Sequence, residues 1–147
     1  MTNVITIIIS ILSSIATAIS TFFLIHKHFL HKKEMRKKLT DEMNKIIEIA
    51  ITYPYVESKA FTSQWIANKD SDSEFYLRYD MYCNRLYNHL YNVCSFFKYN
   101  RQKIEDFVDI KSWIRIHKQN WLYPIDENEN IDGYDKQFRD FINSYLI

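Results

Sequence analysis

Residues 4–25 read VITIIISILSSIATAISTFFLI, twenty-two positions without a charged side chain. As a helix, that run is about 33 Å long at ~1.5 Å per residue, enough to cross a hydrocarbon core of about 30 Å. The next stretch, residues 26–38, reads HKHFLHKKEMRKK and carries six Lys/Arg, three His and one Glu. The remainder, 39–147, carries 13 basic and 17 acidic residues. Three charge zones in one chain point to three physical environments. A cleaved signal peptide is the rival reading, with Ala16-Thr17-Ala18 as a loose cleavage site. Against it, no basic residue precedes Val4 and the chain stays apolar beyond Ala18. The expectation is a single span with the N-terminus out and the body cytoplasmic, since positive charge is retained inside.

Composition narrows what the rest can be. The 147 residues are 47% apolar and 16% aromatic, which excludes a disordered polar chain. One glycine and two prolines leave too few turn formers for a sandwich or barrel of short strands. Gly133 alone cannot build a glycine-rich phosphate loop. The expected fold class is all-α: a transmembrane helix over 1–25, a basic juxtamembrane and linker helix over 26–54, and a cytoplasmic helical bundle over 55–147.

Within the apolar run the polar residues are ordered. Asn3, Thr6, Ser10, Ser13, Thr17 and Ser20 recur at alternating steps of three and four, with Ser14 and Thr21 beside them. That register lays hydroxyl side chains along one helix face. Ile5, Ile8, Leu12, Ile15, Ile19, Phe22 and Phe23 cover the other. Small hydroxyl residues let membrane helices approach and hydrogen-bond, which points to a homo-oligomer. A larger ring would line a wetted lumen with the same stripe. The competing account is that each Ser or Thr bonds the carbonyl one turn back in its own helix.

Lys27, Lys32, Lys33, Arg36, Lys37 and Lys38 sit where an anionic headgroup layer would hold them, each worth ~1 kcal/mol. Membrane lipid is therefore the expected partner. Nucleic-acid binding is not expected, because only Phe29 interleaves with the charges. His28 and His31 lack a third ligand at suitable spacing, so neither a metal nor another cofactor is expected.

The body reads as helices over 56–68, 74–99, 101–123 and from Gly133 onward, with a restart at Thr40 and a stop at Pro54. Ser71 and Glu74 stand at capping-box spacing. Apolar positions 75, 79, 82, 86, 90, 93 and 97 form the long stripe. The acidic loop Asp126–Asp132 lacks the spacing of a calcium loop. Cys83 and Cys94 lie about 16 Å apart along that long helix at ~1.5 Å per residue, too far to pair.

Candidate chemistry is confined to Arg85 and His89, four apart and on one face, with Arg78 two turns earlier. An imidazole beside a guanidinium can serve metal-independent RNA cleavage, the one as acid and base, the other stabilising developing charge. The structural alternative pairs Arg85 with an acid such as Asp80 or Glu105 and leaves His89 bonded at a helix crossing. A helical bundle with an Arg-to-His motif resembles the HEPN superfamily of nucleotide-binding and RNA-cleaving domains. That superfamily spaces the pair more widely than the three residues between Arg85 and His89, or the one between Arg115 and His117.

A single N-terminal span, a basic juxtamembrane helix and a helical body with a degenerate Arg/His pair together resemble the membrane accessory proteins of type VI-B RNA-targeting CRISPR systems. That resemblance implies a multimeric, non-enzymatic pore in the bacterial inner membrane. It would depolarise the membrane during phage infection, in functional partnership with an RNA-guided effector. A membrane-tethered ribonuclease and a passive anchor for a cytoplasmic partner are the alternatives.

Overall fold

No glycine or proline interrupts residues 2–52, and nothing in that stretch breaks the i to i−4 ladder. In the computed structural model it is one unbroken helix, α1 (Thr2–Thr52). The structure describes residues 2–146, with the side chains of all of them except 2, 5–9 and 11. Pro54 ends α1, since the residue before a proline is pushed out of the helical region. Tyr53 accordingly sits at φ −129°, ψ 71°, and Pro54 opens a 3₁₀ turn, Pro54–Glu57. The expected restart at Thr40 does not occur: Thr40 is mid-helix, its hydroxyl donating to the Arg36 carbonyl at 3.1 Å.

The chain divides into two units, 1–40 and 41–147. In the first, the described apolar side chains from Leu12 to Ile25 are all exposed. Among the described residues, no helix is long and apolar enough to cross a membrane. The uncharged run whose side chains are described, 12–25, covers only about 21 Å of helix. The isoleucines at 5, 7, 8, 9 and 11 lie outside the described side chains, and so does Thr6 of the hydroxyl stripe. The span expected over 1–25 thus has no support among the described residues.

Among the described residues of the second unit, helices joined by turns are the regular structure, with no strand. After the 3₁₀ turn come α2 (Lys59–Thr62), α3 (Trp65–Asn68), α4 (Glu74–Phe96), α5 (Arg101–Glu105), α6 (Ile110–Leu122), α7 (Glu129–Gly133) and α8 (Lys136–Asn143). Helix α6 is the hub, receiving α4 together with α2, α3 and α5. Tyr79, Leu86, Leu90 and Val93 of α4 are fully buried along the expected stripe. Phe75 departs from it: Phe75 is exposed and Tyr76 is buried in its place, stacked on Phe61 at 4.6 Å.

Aromatic rings fill much of the remaining core. Trp65 meets Tyr79 at 5.4 Å, and its indole N–H donates to the Tyr123 carbonyl at 2.8 Å. Tyr87 meets Trp121 at 4.8 Å, and Phe138 closes against Tyr134 at 5.0 Å. Such rings suit a bundle of short helices because each buries a large area from one backbone position.

Several boundaries differ from the sequence expectation for local reasons. The helix expected over 56–68 is a 3₁₀ turn followed by two single turns. Ser73, not Ser71, precedes α4; the Ser71 hydroxyl instead donates to the Asn68 carbonyl at 2.6 Å. The helix expected over 101–123 breaks after Glu105, because Asp109 caps a new one by accepting from the Ser112 amide at 3.2 Å. Gly133 closes α7 instead of opening the last helix, which Asp135 caps through the Phe138 amide at 2.8 Å.

Candidate functional site

An α-helix stacks residues four apart in one row, about 5–6 Å between Cβ atoms. Helix α4 therefore presents two adjacent rows, Met81-Arg85-His89 and Asn84-Asn88-Asn92. With Glu42 of α1 they line an open cleft of about 560 Å³. That is within the usual size of a small-ligand site. The sequence expectation of a shared face for Arg85 and His89 is met.

Arg85 is not poised as a free cation. Its Nε and Nη2 donate to Glu42 Oε1 at 2.8 and 2.7 Å. Arg85 is paired with an acid as the structural alternative expects, and that acid is Glu42 instead of Asp80 or Glu105. Asp80 accepts from Asn120 at 2.9 Å, and Glu105 pairs with Lys111 at 2.9 Å and Tyr145 at 3.0 Å. Partial burial works to raise the Glu42 pKa, but the Arg85 hydrogen bond and charge outweigh it, and the carboxyl sits below its ordinary range. Arg and Glu cancel, so the cleft holds no net charge from this pair.

His89 contradicts the expectation of a bonded helix-crossing histidine. It is 1% exposed, and neither ring nitrogen has a hydrogen-bond partner. Trp113 approaches edge-on at 6.4 Å. Burial pushes the imidazole pKa down, against the opposing charge of Glu42. A neutral imidazole always carries one N–H, and leaving it unpaired in the interior costs about 1–3 kcal/mol. The asparagines are partly engaged: Asn88 Oδ1 accepts from the Tyr134 hydroxyl at 3.1 Å, while Asn84 Nδ2 faces Asp80 at 3.4 Å.

The other candidates are not brought here. Arg78 pairs with Glu74, reaches the Tyr55 hydroxyl at 3.4 Å and lies over the Tyr53 ring at 4.2 Å. Arg115 is exposed and His117 fully buried, so the two do not share a face. Lys27, Lys32, Lys33, Arg36, Lys37 and Lys38 are exposed along α1. Of the hydroxyl stripe, Thr17 donates to the Ser13 carbonyl at 2.9 Å, and Ser14 to that of Ser10 at 2.9 Å. Ser20 is exposed. Among the described residues no group of three His, Cys, Asp or Glu side chains could hold a metal.

A second polar cluster escaped the sequence. Glu57 Oε1 accepts from the Tyr82 hydroxyl and faces His117 Nε2 at 3.2 Å. His117 Nδ1 lies 3.1 Å from the Tyr79 hydroxyl, and the His117 carbonyl accepts from Tyr87 at 2.9 Å. With its proton on Nε2, the imidazole donates to Glu57 and accepts from Tyr79, so both nitrogens are used. Glu57 and His117 are sixty positions apart in the chain, so no local spacing announces the pair.

No family model matches the chain, and neither a curated protein nor a solved structure matches it.

Proposed function

We propose that the chain is a homo-oligomeric membrane effector, anchored by a single span over 4–25 with the helical body on the cytoplasmic side. One observation carries this reading: every described apolar side chain from Leu12 to Ile25 is exposed on α1, Phe22 at 65% and Leu24 at 70%. A contiguous apolar surface of that kind needs a cover, and lipid or a second copy supplies one. The span counts the whole uncharged run, including the isoleucines from 5 to 11. The basic residues from Lys27 to Lys38 then meet the anionic leaflet. In the setting of RNA-targeting CRISPR defence, the oligomer depolarises the inner membrane and so enhances the effector.

The neutralised guanidinium and buried, neutral imidazole support a non-enzymatic body. A general acid/base needs reach to its proton, and a phosphate-stabilising arginine needs uncompensated charge.

The test is alkaline extraction of membranes, a reporter fused after Ile147, and the mass of the detergent-extracted protein. Retention in the membrane, a cytoplasmic reporter and a multimeric mass are the expected results. A freely soluble monomer would overturn the reading, and RNA cleavage lost in His89→Ala would replace it with the ribonuclease.

A further inference from the structure

We propose that the cleft between Glu42 and the two rows of α4 binds an extended polypeptide segment through its main-chain amides. The proposal does not rest on the membrane reading, since every lining residue lies within 41–147.

Four observations converge on this ligand class. First, His89 is 1% exposed, lines the cleft and has both ring nitrogens unpartnered, so the site is short of a hydrogen-bonding group. Second, the Arg85 guanidinium at the cleft is spent on Glu42 at 2.7 Å, a carboxylate that the exposed Lys45 also approaches at 3.6 Å. The Asp80 and Glu129 carboxylates face Asn84 at the edge of the cleft. A phosphate or an RNA backbone would meet those two carboxylates, a repulsion that a neutral ligand avoids.

Third, the available groups alternate in character. Asn84 turns its amide nitrogen to carboxylates and leaves Oδ1 to accept. Asn88 uses Oδ1 on Tyr134 and leaves Nδ2 to donate. Asn92 is exposed and offers both. Main-chain N–H and C=O groups are the complementary set.

Fourth, the spacings agree. Asn84, Asn88 and Asn92 recur every ~6 Å along the helix axis. An extended chain repeats its same-side peptide groups every ~6.6 Å. Three carboxamides therefore match about four residues of extended peptide. Side chains of the ligand would point away from the ladder, which makes recognition insensitive to its sequence.

The probe is tetra-alanine with both ends capped, so that it carries no charge and only main-chain groups. It is titrated into the full-length ¹⁵N-labelled protein in detergent, and the His89 ring and the Asn84, Asn88 and Asn92 side-chain amides are followed. The expected result is a saturable shift of the His89 ring and the three amides. Asn92→Ala, a truncation of an exposed side chain that leaves the core untouched, should weaken binding by about 2- to 10-fold, the loss of one or two hydrogen bonds. A conservative Asn92→Gln should recover part of it. Oligouridylate and inorganic phosphate are titrated in parallel. No saturable shift with the peptide overturns the proposal. So does a shift unchanged by Asn92→Ala, or a stronger response to phosphate or RNA, which would assign the cleft to an anion. Failure of membrane retention leaves all of these outcomes unchanged, so the two proposals fail separately.

Discussion

Arg85 and Glu42 are joined through two guanidinium nitrogens, Nε and Nη2, that converge on one carboxylate oxygen at 2.8 and 2.7 Å. The contact ties the C-terminal part of α1 to the centre of α4, forty-three positions later in the chain. Both side chains keep over a third of their surface in solvent, 38% and 35%, so screening reduces what the pair contributes. Arg85→Ala should cost no more than ~1 kcal/mol in urea unfolding. The Glu42 carboxyl is held below its ordinary range, so the stabilisation is present above the unfolded-state value and lost as pH falls through the lowered one. A double-mutant cycle with Glu42→Gln at neutral pH, repeated in acid, checks both points. A coupling that persisted below the carboxylate range would refute the assignment.

Acid should also act through Glu57. Burial works to raise its pKa, but hydrogen bonding from His117 and Tyr82 prevails and holds it below the ordinary value. The sign is the same: stability from this carboxylate is complete above the unfolded-state value and disappears as pH falls through the folded one. Glu57→Gln should therefore lower Tm at neutral pH and flatten its decline in acid. His117→Ala removes a fully buried ring as well as the bond and should cost about 2–5 kcal/mol. Parallel acid profiles for wild type and Glu57→Gln would show that the cluster is not the titrating element.

Much of this was legible where the signal is local and repeated. The stripe through Tyr79, Leu86, Leu90 and Val93 predicts α4 and its buried face, and Pro54 predicts where α1 ends. The interval of four predicts that Arg85 and His89 share a helix face, though not that the face lines a cleft. What was illegible depends on partners distant in sequence. Glu42 and Glu105 are both acids within conceivable reach of Arg85, and only the packing of α1 on α4 selects the first. His89 looked like a residue that would find a bond, yet α4 turns it between Trp113 and the cleft with no acceptor beside it. The break between α5 and α6 turns on one hydrogen bond from the Ser112 amide to the Asp109 side chain, which competes with an apolar register running straight through it.

The two cysteines should be chemically silent in the folded protein. Cys83 and Cys94 are unpaired and fully buried. Burial pushes the Cys94 thiol up to about 12 and raises Cys83 well above its ordinary value despite its hydrogen bonding with Tyr79. The thiolate is the reactive form, so both should resist iodoacetamide at pH 8 and alkylate together on unfolding. Rapid labelling of either in the native state would place it at the surface.

The turn after α4 stores backbone strain that glycine should relieve. Lys98 and Tyr99 both have positive φ, 51° and 56°, in succession. The turn is held by the Lys98 amide on the Ser95 carbonyl at 3.1 Å and the Tyr99 amide on the Cys94 carbonyl at 2.9 Å. A side-chain-bearing residue in this region costs roughly 1–2 kcal/mol, whereas glycine costs about 0.5–1 kcal/mol in chain entropy. Lys98 is exposed, so its side chain has little packing to lose. Lys98→Gly should therefore be more stable than Lys98→Ala by about 1 kcal/mol in urea unfolding. At Lys118, exposed within α6, the order should reverse by a similar amount, because glycine is the poorer helix former there. The pair of comparisons isolates backbone conformation from every other property of the two lysines. The same order at both positions would mean that the turn is not strained.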